Sequence, residues 1–528
     1  MRKLLLISCV MALSSPAFAQ TIDAKGADQL ANTLSKYVGK TAIKKGILKV
    51  TPEGDAYRIV FNTDAFLKAL PKQDAFKLSL TDYSILSKPL ADGTWDVSST
   101  AFPAVSVEFT GPTGPQVMDW ASEGFKLNGL YDPKINTFSK STFSFDSAKI
   151  KIRNPAQDAD ASTGPSKGEM LGSLTTSGGV DFTTNQSTTD FKETVITRTS
   201  KLPGASGMSG EAAKPDSAVS DEVKITLGAG ELGSKAEGKN LKNNEMMDLW
   251  AFFVAHADQK KLKKPEDAEL KQKLSAVLPL WDNIAFSYYV KALAINTSMG
   301  SFGAENISQD VKFDGISKSG AYHYTLRTNG LKYPTLPIPE WGVPFLPTDV
   351  ELTVGTKDLD LDTVVKGAIE DMDLNRAKVI SEEFEAKTAA QFLIAPPKLV
   401  ISKSLVRTPD AELTVEGEVT FAALKPESHT TWEMSGFDKV VERLNKAGET
   451  DETIKQYIVF VKLAKDFGTQ IDGGKIQWVV DQKADGSVAI NGNPVKGPDP
   501  VAVPGADDAI DSDAPEGEED NTDTDTAK

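Results

Sequence analysis

The sequence predicts an α+β protein dominated by an antiparallel meander sheet, and three observations carry that expectation. Residues 411–421, AELTVEGEVTF, put Leu413, Val415, Val419 and Phe421 on one side of an extended chain and Glu412, Thr414, Glu416, Glu418 and Thr420 on the other. Strand side chains alternate with a period of two, so this run sorts its apolar from its acidic residues only as a strand with one dry and one wet face. That is the habit of antiparallel strands, since parallel ones are usually buried on both sides. Second, strand-like runs between Ala75 and Ile152 recur roughly every ten to fifteen residues with Gly, Pro, Asn and Asp between them, which reads as a meander. Third, apolar spacing near 3.6 appears only in a few stretches, so helices are a minority.

Arg2 and Lys3, the apolar run from Leu4 to Leu13 and then Ala17-Phe18-Ala19 before Gln20 have the order of a cleaved secretory signal, so residues 1–19 are expected to be removed. The implied compartment is the periplasm of a Gram-negative type of cell. Leu6-Ile7-Ser8-Cys9 offers a minor alternative, a lipoprotein acylated at Cys9. Cys9 is the single cysteine, so the mature chain is expected to carry no disulfide and no thiol chemistry. No later stretch approaches the roughly 20 apolar residues of a membrane helix, so no integral span is expected after signal cleavage.

The formal charge is −16, and eleven carboxylates against one lysine fall in residues 499–528. That segment reads as a disordered acidic tail. The remaining body is mildly acidic, which argues against nucleic acid as a partner.

Along the chain, residues 20–240 read as an N-terminal β-rich domain with flexible loops near 154–179 and 203–221. It opens with a helix over 27–38 and a hairpin over 46–62. Residues 241–498 read as a C-terminal α+β domain. Met246, Met247, Leu249, Trp250, Phe253 and Val254 make a helical stripe, a second helix follows Pro265, and strands resume over 284–295. Helices are expected over 361–372, 376–384, 435–448 with Ser435 as cap, and 453–467; a hairpin over 474–491 closes the body.

Three constellations bear on chemistry. His256, His323 and His429 are far apart and lack HxH or HExxH spacing, so no metal or cofactor is expected. Asp358, Asp360 and Asp362, with Asp371 and Asp373 beyond, would suit a carbohydrate-active enzyme if the carboxylates paired, but more simply form a solvated strand edge and a helix cap. The stretch 333–347, YPTLPIPEWGVPFLP, holds Trp341 and Phe345 in a segment that is neither strand nor helix. Prolines would pre-order such aromatics at the mouth of an apolar groove, or as the cap of a sheet core.

The run of short strands, the central helices and the closing order of helix, Gly473-Gly474, strand, Asp485-Gly486, strand and Asn491-Gly492 resemble bacterial envelope proteins of the YdgA and AsmA-like kind. The resemblance implies an elongated, curved antiparallel sheet with an apolar concave face that shelters lipid chains. The resulting expectation is a non-enzymatic periplasmic protein that binds lipid or another apolar ligand in cell-envelope maintenance, with Trp341 and Phe345 at the groove mouth. The alternatives are a scaffold that binds envelope proteins and, more remotely, a carbohydrate-active enzyme.

Overall fold

A computed structural model describes residues 22–69, 76–111, 114–199, 221–259, 261–334, 338–422, 425–449 and 451–500. The expected signal with Cys9 and Gln20, residues 203–220 of the second expected loop and the acidic tail beyond residue 500 lie outside the described residues.

Asp23 opens α1 (Ala24–Val38) by accepting the Gly26 N–H at 2.8 Å. After α2 (Lys40–Lys44) come the hairpin β1 (Leu48–Glu53) and β2 (Ala56–Phe61), then α3 (Thr63–Ala69). Eight strands follow: β3 (Phe76–Leu80), β4 (Tyr83–Pro89), β5 (Trp95–Ser99), β6 (Val105–Gly111), β7 (Gly114–Glu123), β8 (Lys126–Asp132), β9 (Thr137–Phe145) and β10 (Ser147–Asn154); the expected meander is not kept here, since β3 pairs with β6, β5 with β8 and β7 with β10. The stretch 154–179, expected as a flexible loop, instead holds β11 (Gln157–Thr163) and β12 (Ser166–Leu174). Each is hydrogen-bonded on both sides, so ladder partners decide the conformation where the small polar composition suggested none. Two long strands, β13 (Val180–Thr199) and β14 (Asp221–Leu241), complete this half.

The second half begins with α4 (Asn243–Ala255) and α5 (Lys264–Ala276), then β15 (Asn283–Thr297), β16 (Gly300–Asp314) and β17 (Gly320–Asn329). A 3-10 turn (Glu340–Phe345) precedes β18 (Asp349–Leu359), α6 (Leu361–Asp371) and α7 (Glu382–Ile394). The helix expected over 376–384 therefore starts later. Ser381 is its N-cap, accepting from the Phe384 N–H, while Asp371 takes the Ser381 N–H at 2.7 Å and ties the preceding turn. Then come β19 (Lys398–Arg407), β20 (Glu412–Ala422), β21 (Lys425–Ser435), α8 (Phe437–Gly448), α9 (Glu452–Phe467), β22 (Thr469–Ile471), β23 (Lys475–Gln482), β24 (Val488–Ile490) and β25 (Asn493–Lys496). Ser435 does not cap α8: the chain enters through Gly436 at φ 76°, with no side-chain cap bond.

The 25 strands of the described residues belong to one sheet, and every pairing among them is antiparallel, as the alternation in 411–421 implied. The ladder crosses the boundary expected near Asn240 without a break, since β14 pairs with β15 from Thr226–Asn296 to Lys239–Asn283. At β13 the sheet forks. The first half of β13 pairs with β12 and leads through β9, β8, β5, β4 and β2 to β1; the second half pairs with β11 and leads through β10, β7 and β6 to β3. The larger buried cluster lies on the first branch, where Leu30 and Leu34 of α1 pack with Tyr57, Ile59, Ile85, Trp95, Val97 and Tyr131, and a smaller one, Ala42, Ile47 and Phe66, packs on Leu78 and Leu80 of β3. Phe102 joins the branches, with ring centroids 6.3 Å from Tyr83 on one and 5.0 Å from Trp120 on the other.

Candidate functional site: one uncharged face of the sheet

Directly opposed residues on neighbouring strands share a face, so the register traces that face from strand to strand. On the first branch one row runs through Tyr57, Ser87, Val97, Gly129, Ser141, Met170 and Thr184. The same row continues through Ala236, Phe286, Val311, Tyr324, Val354 and Ile401, then Gly417, Thr430, Val480 and Ile490. Each step of this row across seventeen strands is a direct pairing, and the register shifts in the ladders β8–β9, β13–β14, β17–β18, β18–β19 and β19–β20 lie off it. At about 4.8 Å per strand the row is on the order of 80 Å long.

At regularly paired positions between β15 and β24, this face carries no Asp, Glu, Lys or Arg. Its neighbouring rows add Ile284, Phe313 and Tyr322, or Tyr288, Gln309 and Leu326, or Leu399, Val419 and Ser428. The reverse face is laced with ion pairs: Arg327 with Asp310 and Glu351, Lys357 with Glu418 at 2.6 Å, and His429 with Asp481 at 2.6 Å. This is the separation anticipated for Leu413, Val415, Val419 and Phe421 against Glu412, Glu416 and Glu418, extended over ten strands.

The two parts of the uncharged face differ in burial. Under α1 it is filled, and Tyr57, Trp95 and Tyr131 are fully buried. On β15 to β19 several positions are open to solvent, with Tyr288 52% exposed, Leu399 41%, Leu352 40% and Tyr322 39%, while Ile284 and Ser404 on the same face are buried. The second branch is open too, at Phe76, Phe109 and Met118. These residues were not singled out from the sequence. Their strands were recognisable, but the register that sets them side by side is a property of the whole sheet.

Trp341 and Phe345 lie in the 3-10 turn, both half-buried, with ring centroids 6.4 Å apart. The turn sits between the ends of β17 and β18, where Leu331 donates to Thr348 O at 2.9 Å and Thr348 N donates to Arg407 O at 2.7 Å. The Tyr333 hydroxyl closes the segment on Pro347 O at 2.8 Å. The two aromatics therefore stand at the strand ends, beside α8, and not on the open face itself.

The acidic run takes the structural role. Asp360 caps α6, and the Thr363 N–H it accepts at 3.0 Å holds its carboxyl below the usual range. Asp362 pairs with Lys366 at 2.7 Å and Asp358 with Lys398 at 3.3 Å. Asp371 is held low first by the Ser381 N–H, and Asp373 accepts the Asn375 N–H at 2.8 Å. The histidines stand apart. His256 ends α4, its ring tilted against Phe252 with centroids 4.1 Å apart and its Nδ1 2.8 Å from Phe252 O; His323 is on β17; His429 pairs with Asp481. Among the described residues no group of three or more His, Cys, Asp or Glu is arranged to hold a metal ion, and no helix is long and apolar enough to cross a membrane.

No protein-family model, no curated protein and no solved structure matches the chain. The open face is thus read from its own chemistry. It mixes aromatic and aliphatic side chains with uncharged Ser, Thr and Gln, and carries no fixed charge at its regularly paired positions between β15 and β24.

Proposed function

We propose that this chain is an exported, non-enzymatic protein of the cell envelope that holds a lipid or another apolar ligand along the uncharged face of its sheet. The observation that carries the reading is the exposure of Tyr288, Tyr322, Leu352 and Leu399 on one continuous uncharged face, while the reverse face is covered by ion pairs. A contiguous apolar patch beyond a few hundred Å² on a soluble chain marks a binding surface. Trp341 and Phe345 form a lip at one end of that surface. The N-terminal order of charge, apolar run and small residues supports delivery to the periplasm.

The test is native mass spectrometry of protein released gently from the periplasm, together with titration of a fluorescent fatty-acyl probe. Co-purifying lipid and saturable probe binding are expected; absence of both would sink the proposal. One further feature favours an envelope protein as partner: α9 exposes Tyr457, Val459, Phe460 and Leu463 on its surface. If probe binding is absent and a Phe460→Ser variant loses a cross-linked envelope protein, the scaffold reading replaces the carrier reading.

A further inference from the structure

Among the described side chains of the second branch, the uncharged face has one charged residue. Counting across the ladder from β3, the row reads Leu80, Val105, Trp120, Ile150, Ala161, and then Glu193 of β13, before Leu227 of β14 and Ile295 of β15. Glu193 is half-buried in this apolar row, and along its own strand it stands between Phe191 and Val195. The neighbouring cations serve elsewhere. Arg198 is spent on Asp158 at 2.6 Å and Glu222 at 3.2 Å, on the reverse face, and Lys192 points the other way from Glu193 by strand alternation. Among the described residues no cationic side chain forms an ion pair with Glu193.

By register Glu193 is a half-buried carboxylate in an apolar row, which makes it a fixed negative charge within reach of a ligand lying along that row. We infer that Glu193 receives the cationic head of an amine-bearing amphiphile, a primary or quaternary ammonium, whose apolar tail lies along the adjoining row. This rests on the apolar-ligand reading above and adds a head-group preference to it. An ammonium placed against an ionised carboxylate makes a charge-assisted contact of the strong kind, and Phe191 on the same strand, with Ala161, Ile150 and Trp120 on the next three strands of the row, offers the tail an apolar bed. An anionic head would meet repulsion at the same position.

The experiment compares three probes of equal chain length, an alkylammonium, an alkanol and a fatty acid, each displacing a fluorescent acyl probe at neutral pH below its micelle concentration. The full chain is expected to bind the alkylammonium about tenfold more tightly than the alkanol, and the fatty acid least well. In Glu193→Gln the alkylammonium preference should vanish while alkanol binding stays as it was, and Glu193→Asp should keep part of the preference. Equal affinity for ammonium and alkanol in the unaltered chain, or a preference that survives Glu193→Gln, overturns the assignment and leaves the apolar-ligand reading standing. If no probe of any kind binds, both fall together.

Discussion

Asp190 of β13 and Ala292 of β15 flank Gly230 of the intervening strand β14, and both have left-handed backbone, with φ 53° and φ 52°. Neither takes a paired position, yet the register is the same above and below them. What changes is the alternation. On β13 the uncharged face uses Phe182 and Thr184 before Asp190 and Phe191 and Val195 after it; on β15 it uses Phe286, Tyr288 and Val290 before Ala292 and Leu293 and Ile295 after it. On β13 and β15 the switch in parity falls at a left-handed residue, and on β14 it falls at Gly230 between them, which is not left-handed, so the same face stays apolar on both branches of the fork. Aspartate tolerates this backbone better than alanine does. Ala292→Gly is therefore expected to stabilise the protein by about 1 kcal/mol in urea unfolding, and Ala292→Val to destabilise it by more. A neutral Ala292→Gly would mean that the backbone there relaxes at no cost.

The two faces should respond oppositely to an added charge. Tyr288→Lys places an ammonium on the uncharged face at a position already half open to solvent, so the fold is expected to survive with unfolding within about 0.5 kcal/mol of the parent. Acyl-probe affinity should drop at least tenfold, because the ligand would then lie on a hydrated charge. Ser308→Lys, on the reverse face of the adjoining strand, should leave probe binding unchanged. Equal effects from the two variants would show that the probe does not use this surface.

Burial beneath α1 sets a contrasting expectation. Trp95 and Tyr131 are fully buried there, and Trp95→Ala should cost about 3–5 kcal/mol in denaturant unfolding. Leu352→Ala on the open face should cost less than about 1 kcal/mol, since little of its surface is removed from water by the chain itself. If Leu352 proved as costly as Trp95, the face would be filled in solution and unavailable to a ligand.

Much of this architecture was legible in the amino-acid order, because alternation and turn residues act locally. The strand at 411–421, the hairpin at 46–62 and the helix ending at Val38 need only their own residues and near neighbours. Three features were not legible, each for a physical reason. The strands at 157–163 and 166–174 are made of small polar residues whose conformation comes from ladder partners on both sides. The start of α7 depends on Asp371 reaching ten residues ahead to Ser381, a tie that no local window contains. The open face itself depends on register across the whole sheet, so Tyr288 and Leu352 looked like ordinary strand residues. Trp341 and Phe345 drew notice for their prolines, and they sit at the rim of that face and not within it.

Their contribution can be weighed directly. Trp341→Ala is expected to weaken acyl-probe binding by about 1–3 kcal/mol if the indole closes over the ligand, with little change in unfolding. Loss of stability without loss of probe affinity would make the turn a plug on the strand ends and nothing more.

Alkaline pH offers a probe of the reverse face. The Tyr289 hydroxyl donates to Glu231 at 2.5 Å, and that bond, with burial and the carboxylate charge behind it, pushes the phenol up to about 12. The unfolded phenol titrates near 10. A group whose folded value is raised gives stability that is complete below the unfolded value and disappears as pH climbs through the folded one, so this contribution is present at pH 9 and lost between about pH 10 and 12. Tyr289→Phe should therefore lower stability at pH 9 and show a shallower loss than the parent over that window, with the difference between the two proteins closing toward pH 12. Urea unfolding at pH 9, 10, 11 and 12, paired with ultraviolet titration of the phenols, reads both quantities. Parallel curves for the two proteins would mean that the Tyr289–Glu231 bond does not persist in solution.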